Sequence, residues 1–306
     1  MKKIVVTTPS FGKFNPELIR QLEDDGYLVV RIVPFSREVL LAEVADADAL
    51  VVGLEKIDED VLKAAEKLKV IAKHGVGLDN IDLAAAEKRG IAVKNAPGAN
   101  TQAVADLTFG LMIGLARSIP AANAATKNGE WKRFDGVLLW EKTLGIVGLG
   151  AIGIAVAERA RGFRMKILGY EVAPPRDIEK DLGIVRVPLD ELLSEADFVT
   201  LHVPLTPQTR HMIGEAQLKR MKPGAYLINT ARGGIVDEAA LYRALSEKWI
   251  AGAGIDAFAQ EPPTGNPLLT LENVIATPHM GAFTVESNIN TSAITAQNVL
   301  EILGRT

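Results

Sequence analysis

The sequence predicts an α/β protein built from two doubly wound parallel-sheet lobes, and three observations carry that reading. Short runs rich in Val and Ile alternate with helical patterns from residue 3 to about residue 97, and the alternation restarts at Lys142. That order marks βαβ units around a sheet buried on both faces. The 306 residues are 48% hydrophobic, enough apolar chain for two cores. Between the two series lies one stretch, "TQAVADLTFGLMIGLARSIPAANAATKNGEW", that reads as helix alone.

In chain order, "KIVVTT", "YLVVRIV", "DALVVG", "KVIAKHG" and "IAVKNA" are the expected strands of the first lobe. The helices between them are "PELIRQLEDDG", "DEDVLKAAEKL" and "NIDLAAAEKRG". The linking stretch is expected as two helices broken at Pro120, because proline cannot continue a helix interior. Val104, Leu107, Leu111 and Leu115 fall on one face of the first, which either packs in the core or meets another subunit. The second lobe has strands at "KTLGIVGLG", "MKILGYE", "DFVTLHVP", "GAYLINT", "IAGAGIDAF" and "NVIATPH", with "AIGIAVAERARGF", "DELLSEA", "EAQLKRM" and "DEAALYRALSEKW" as helices. The last pattern, "ESNINTSAITAQNVLEIL", is a helix that can pack back on the first lobe, since chain ends often lie close together.

Composition removes several functions. With 34 basic and 38 acidic residues scattered along the chain the formal charge is −4, so neither nucleic acid nor an anionic membrane is an expected partner. The absence of cysteine excludes disulfides, thiolate zinc sites, iron–sulfur ligation and cysteine nucleophiles, and no metal site is expected. "MKKIVVTTPS" lacks the ~7–15 apolar residues of a signal peptide, and "LTFGLMIGLA" falls short of the ~20 that span a bilayer. A cytoplasmic protein is the expectation.

"TLGIVGLGAIGIAVAERA" places G-x-G-x-x-G at Gly148, Gly150 and Gly153, after a strand and at the head of a helix. In that setting the glycines serve a tight turn, close backbone approach to a pyrophosphate and close helix–strand packing; the helix N-terminus, with Ala151 and Ile152, meets the phosphate. The next strand ends at Glu171, 171 − 148 = 23 residues on, near the ~20 expected for the acid that binds the adenosine ribose hydroxyls. A carboxylate there disfavours a 2′-phosphate and points to NAD. Arg176 follows closely and could accept such a phosphate, but two prolines make its direction unreadable.

Three segments stand at strand ends: "NTARGGIVDE", "GIDAFAQEPP" and "TPHMGAFT". Ligands of doubly wound sheets bind beyond the carboxyl ends of strands, so Arg232, Asp256, Glu261 and His279 can converge there. Arg offers a forked donor to a carboxylate or carbonyl. A His can donate or take a proton, and a Glu beside it would orient the ring and favour its imidazolium.

With "GLGAIG" and "KHGVGLDNID", these segments closely resemble the NAD-dependent D-2-hydroxyacid dehydrogenase family, its phosphoglycerate dehydrogenase branch most of all, in its short form. The resemblance implies a catalytic set of Arg232, Glu261 and His279, and Asp256 holding the nicotinamide carboxamide. Val203, Pro204, Thr230, Gly281 and Ala282 join the cofactor contacts. Substrate contacts fall on Lys73, His74, Gly75, Val76, Gly77 and Asn100, with the 75–77 amides holding the substrate carboxylate. It further implies a flavodoxin-like substrate domain of residues 1–98 with 284–306, a Rossmann NAD-binding domain of 99–283, closure around the substrate, and a homodimer through the segment after Asn100.

The implied reaction is 3-phosphoglycerate oxidation in serine biosynthesis, with hydroxypyruvate or glyoxylate reduction as the alternative. An NAD-sensing corepressor of the same family is a remote third reading. Some positions loosen the match. Gly53, Leu54 and Glu55 stand where phosphoglycerate dehydrogenases usually place an arginine, and Lys73 where another arginine is common. Glu171 replaces the more usual Asp, and Phe283 interrupts a "GAST" pattern. The given chain ends at "EILGRT", so serine feedback through a C-terminal domain is not expected. His74 reads as a substrate contact or a strand-end residue, His202 as secondary to its backbone neighbours, and His211 as a surface loop residue.

Overall fold

The computed structural model describes residues 1–304, divided into two compact units: Met1–Asn100 with the chain from Ala282 onward, and Thr101–Gly281. Arg305 and Thr306, the end of the expected 284–306 segment, lie outside the described residues.

In the first unit β1 (Lys2–Val6), β2 (Tyr27–Arg31), β3 (Ala49–Val52), β4 (Val70–Lys73) and β5 (Ala92–Lys94) form one parallel sheet in the order β2-β1-β3-β4-β5. This is the flavodoxin-like order. β1, β3 and β4 carry continuous Val, Ile, Leu and Ala because both their faces are covered. One face packs on α2 (Arg37–Glu43), α3 (Glu59–Ala64) and α4 (Leu83–Lys88); the other packs on α1 (Glu17–Asp24) and the last helix, Val285–Leu303. Side chains mark several helix starts: Ser36, Asp58, Asp82 and Thr284 each accept the backbone N–H three residues on. Helix α2, capped by Ser36, is absent from the elements expected from sequence. Its run "REVLLAE" is too short to show a clear period.

The second unit begins with α5 (Thr101–Ala116) and α6 (Ile119–Lys127). Their axes bend by 63°, and Pro120 sits in the first turn of α6 rather than at the break. Proline is well suited to that position, because its missing N–H has no partner there. The left-handed Ser118 makes the corner instead. α5 is buried nearly all round, including Ala105, Thr108 and Met112 off the expected stripe, so its single-face pattern is a core pattern. No single helix among the described residues is long and apolar enough to cross a membrane.

Seven parallel strands follow: β6 (Thr143–Val147), β7 (Lys166–Tyr170), β8 (Ile184–Arg186), β9 (Phe198–Leu201), β10 (Tyr226–Asn229), β11 (Gly252–Ile255) and β12 (Val274–Ala276). Their order is β12-β11-β10-β9-β6-β7-β8, the Rossmann arrangement with one strand added at the edge. α7 (Ala151–Ala160) joins α5 on one face, while α9 (Leu189–Glu195), α10 (Glu215–Arg220) and α11 (Glu238–Ser246) cover the other. The short α8 (Asp177–Asp181) and β8 also escape the sequence reading, because five and three residues show no period. Strand order reverses between β9 and β6, the switch point beside which doubly wound sheets bind ligands.

Candidate functional site

In the second unit every expected site residue follows the carboxyl end of a strand. The glycine turn follows β6, Glu171 follows β7, and His202 to Pro204 follow β9. Arg232 follows β10, Asp256 and Glu261 follow β11, and His279 follows β12. β10, β11 and β12 are adjacent, so the last four side chains leave from three neighbouring strands.

The glycine turn fits a dinucleotide. Gly148 has φ +95°, and a Cβ there would lie 2.6 Å from the His202 carbonyl oxygen. At Gly153 a Cβ would lie 2.1 Å from the Gly148 oxygen, so this glycine lets α7 close on the strand. Gly150 differs: a Cβ would meet nothing within 4 Å, which leaves the backbone open to an incoming group. Gly150 also precedes α7 without any side-chain cap, unlike the Asp237 that caps α11, so the first amides of α7 stay available to a pyrophosphate. Ala151 is exposed and Ile152 half-buried at that helix start.

Glu171 is anchored. One oxygen accepts from the Val172 and Ala173 N–H groups at 2.7 and 3.0 Å, and the other from Leu149 N–H at 2.9 Å. Partial burial opposes its charge, but these N–H groups and nearby Arg186 outweigh it and hold the carboxyl below the usual carboxylate range. His202 donates or accepts through Nε2 with Thr200 Oγ1 at 2.9 Å, and burial pushes its imidazole down to about 3. Its backbone, not its ring, packs the glycine turn, and Val203 and Pro204 continue that segment.

His279 Nδ1 faces both oxygens of Glu261, at 2.9 and 2.8 Å. A carboxylate only accepts, so Nδ1 carries the proton, and Nε2 is the nitrogen left for chemistry. Glu261 is itself set by the Phe258 N–H at 3.0 Å. His279 has φ +50°, an uncommon left-handed conformation for a side chain of this size. Asp256, 1% exposed, holds that turn: it accepts from Thr277 Oγ1 at 2.6 Å, Met280 N–H at 2.8 Å and Gly281 N–H at 2.9 Å. Asp256 is thus a positioning residue for His279, in addition to the role expected from resemblance.

Asn229 holds the Arg232 loop, donating to the Arg232 carbonyl at 2.8 Å and accepting from Ala231 N–H at 3.1 Å. Arg232 Nη1 donates to the Ala231 carbonyl at 2.7 Å. Thr230 is buried, and its hydroxyl pairs with Thr108 of α5 at 3.1 Å. Sequence reasoning missed Gly233. A Cβ there would lie 2.0 Å from the Phe258 carbonyl carbon, so this glycine lets the Arg232 loop close on the segment that orients Glu261. The doubled glycine of "ARGG" was the available signal.

In the first unit, Lys73 is 4% exposed, and its ammonium donates to the Gly53 carbonyl and, at 2.8 Å, to Asn80 Oδ1. Glu55 closes the same loop: its carboxylate accepts from Gly53 N–H at 2.6 Å and from Thr7 Oγ1 at 3.0 Å. His74 Nε2 pairs with Ser292 Oγ at 3.0 Å and its ring meets the Phe11 edge. Burial pushes His74 down to about 4. Gly75 has φ +149° and gives its N–H to the Lys73 carbonyl at 2.9 Å. The N–H groups of Val76 and Gly77 make no hydrogen bond among the described residues. Asn100 and Ala282 are half-buried, and Phe283 is 68% exposed.

A family model described as the NAD-binding domain of D-isomer specific 2-hydroxyacid dehydrogenases matches residues 109–281. The chain is 48% identical to a D-3-phosphoglycerate dehydrogenase of Methanocaldococcus jannaschii, over 99% of this chain and 58% of that protein. It is 49% identical to a glyoxylate reductase of Korarchaeum cryptofilum, over 87% of this chain and 83% of that one. Among solved structures, the D-lactate dehydrogenase of Aquifex aeolicus, complexed with NAD and lactic acid, matches with TM-score 0.87 and 32% identity over 99% of this chain and 96% of that one. The chain spans little more than half the length of the Methanocaldococcus relative. Matched over residues 109–281 by the family model and at these identities to its relatives, the chain belongs to the D-isomer specific 2-hydroxyacid dehydrogenase family.

Proposed function

We propose that this protein interconverts a D-2-hydroxy acid and its 2-keto acid with NAD. The observation that carries the proposal is the His279 Nδ1 to Glu261 pair at 2.8 Å, set at strand ends of the same sheet that carries an open G-x-G-x-x-G turn. A nicotinamide held at this site would supply or take the hydride. His279 Nε2 gives its proton to the carbonyl oxygen in reduction and takes it back in oxidation. Glu261 fixes the ring and its tautomer. Asp256 holds the turn and is assigned to the nicotinamide carboxamide. Arg232 stabilises charge on the acid, a preorganised donor of this kind contributing about 3 kcal/mol. Glu171 is assigned to the adenosine ribose hydroxyls. In the first unit the Lys73–Gly77 loop with Asn100 is assigned to substrate recognition, its available donors being the Val76 and Gly77 amides.

For the acid itself, 3-phosphoglycerate is supported by the phosphoglycerate dehydrogenases among the relatives. The loop after β3 favours the second reading. Its one carboxylate, Glu55, opposes a phosphate, and the Lys73 ammonium is engaged with Gly53 and Asn80. A small unphosphorylated 2-keto acid, glyoxylate or hydroxypyruvate, is therefore the substrate class the geometry supports best. NADH absorbance followed with 3-phosphohydroxypyruvate, hydroxypyruvate, glyoxylate and pyruvate tests both levels. Hydroxypyruvate or glyoxylate is expected to give the highest kcat/KM. Superior turnover of the phosphorylated acid would restore phosphoglycerate, and no turnover of any would end the enzyme reading.

A homodimer is proposed through the segment after Asn100. Residues 130–139 have no regular structure and expose Trp131 (88%), Val137 and Leu138, with Trp140 following, more apolar surface than an isolated loop ordinarily shows. Sedimentation is expected to give a dimer that Leu138→Glu weakens; a wild-type monomer at micromolar concentration would refute it.

A further inference from the structure

The loop that carries Glu261 is fastened at two points by one carboxylate outside the expected catalytic set. Glu238 opens α11, where Asp237 caps the helix and Ala240, Leu241, Ala244 and Leu245 root it in the core of the second unit. One Glu238 oxygen accepts from Ala259 N–H at 2.6 Å, and the other from Asn266 Nδ2 at 2.7 Å. Glu261 lies between those points. Phe258 and Leu268 are buried at the ends of this stretch, and residues 259–267 between them are exposed or half-buried. Its own backbone bonds are short in range, from Thr264 N–H to the Pro262 carbonyl at 2.9 Å and from Asn266 N–H to the Pro263 carbonyl at 3.1 Å. A segment with so few buried apolar contacts opens readily unless polar contacts hold it. Both partners of Glu238 are donors, matched to the two oxygens of a carboxylate. Asn266 cannot turn over without loss, because its Oδ1 accepts from Leu268 N–H at 3.0 Å.

From this arrangement we propose that Glu238 is a positioning residue for proton transfer: it clamps the loop so that Glu261 meets His279 Nδ1, and it acts on turnover through that pair alone. The path is short. Glu238 fixes Ala259, the adjacent Phe258 N–H sets Glu261 at 3.0 Å, and Glu261 faces His279 Nδ1 at 2.9 and 2.8 Å. The clamp stands on a helix rooted in the core, where the positive end of α11 favours its charge. The inference rests on the proposed role of His279 and Glu261 in moving the proton.

The test pairs steady-state turnover of the best 2-keto acid with NADH affinity, read by quenching of the intrinsic tryptophan fluorescence. Glu238→Ala is expected to lower kcat by about 10- to 100-fold, the scale of a misplacement of up to ~1 Å, and to change the Kd of NADH by about twofold or less. Glu238→Gln should retain part of that turnover, since an amide satisfies one of the two donors but not both. On a Glu261→Gln background, Glu238→Ala should lower kcat by no more than about twofold further, because the two side chains act as a unit. Isotope-labelled histidine gives a second measurement: with four histidines in the chain, the His279 Nδ1–H resonance should be visible in the wild type and lost to water exchange in Glu238→Ala. Wild-type kcat in Glu238→Ala, its full loss repeated on the Glu261→Gln background, or equal losses of turnover and NADH affinity would each overturn the role of Glu238. If Glu238→Ala melts below the assay temperature, Asn266→Ala carries the same test, because it removes one partner and leaves α11 whole. A wild type that turns over no 2-keto acid would instead remove the proposed reaction on which the inference stands.

Discussion

Replacing His279 by glutamine is expected to lower kcat for 2-keto-acid reduction by about 10²- to 10⁴-fold, the range for loss of a positioned general acid. The dissociation constant of NADH should stay near its wild-type value. The reason is local. Nδ1 is committed to the two oxygens of Glu261, so the reactive proton resides on Nε2, a position glutamine can fill with an amide but not with an acid. The substitution also meets the φ of +50° at this residue, a conformation that costs a non-glycine side chain about 1 kcal/mol or more. His279→Asn separates the two effects, because Asn tolerates the left-handed region better. Both variants should lose turnover, with Asn closer to wild type in melting temperature. A variant that keeps near-normal kcat would remove His279 from proton transfer.

The second large effect is expected at Gly233. A Cβ placed there would stand 2.0 Å from the Phe258 carbonyl carbon, 2.1 Å from its oxygen and 2.3 Å from Ala259 N. All three are backbone atoms, so no rotamer change relieves the clash. The displaced segment is constrained as well: Phe258 N–H orients Glu261, and Ala259 N–H donates to Glu238 at 2.6 Å. Gly233→Ala should cost about 3 kcal/mol, lowering the melting temperature by about 6 °C or more. The neighbouring Arg232 and Glu261 should shift together, and a misplacement of ~1 Å lowers kcat/KM by about 10²-fold. Gly162→Ala is the control, since a Cβ there meets nothing within 4 Å. Gly233→Ala with the melting temperature and kcat/KM of the control would show that the two loops do not depend on this close approach.

Much of the site was legible because its signals are local. Gly148, Gly150 and Gly153 act within one turn, so their spacing reports their geometry directly, and Glu171 lies one strand further on. The Glu261 and His279 pairing followed from both standing at strand ends, which parallel neighbours bring to one side. Gly233 was legible only as half of a doubled glycine. Its partners lie at Phe258 and Ala259, on the loop after the next strand, and nothing in "ARGG" names them. Asp256 is similar: its three donors, Thr277, Met280 and Gly281, come from the turn after β12. Lys73 and Glu55 stand out in sequence as charges near an anion's expected place, and the fold decides that both close the loop after β3.

The sequence by itself determined the alternation of strand and helix, the two parallel sheets, the dinucleotide turn and the residue types at the strand ends. Periodicity, helix-start residues and glycine spacing are properties of neighbours along the chain. Only the tertiary structure decided which charges brace their own loop and which reach another. Arg186 is used inside its own loop, while Arg176 reaches the glycine turn. The two arginines are indistinguishable by composition. They differ because β8 sets Arg186 beside the buried Glu179, whereas Arg176 precedes α8 with the turn of β6 in reach.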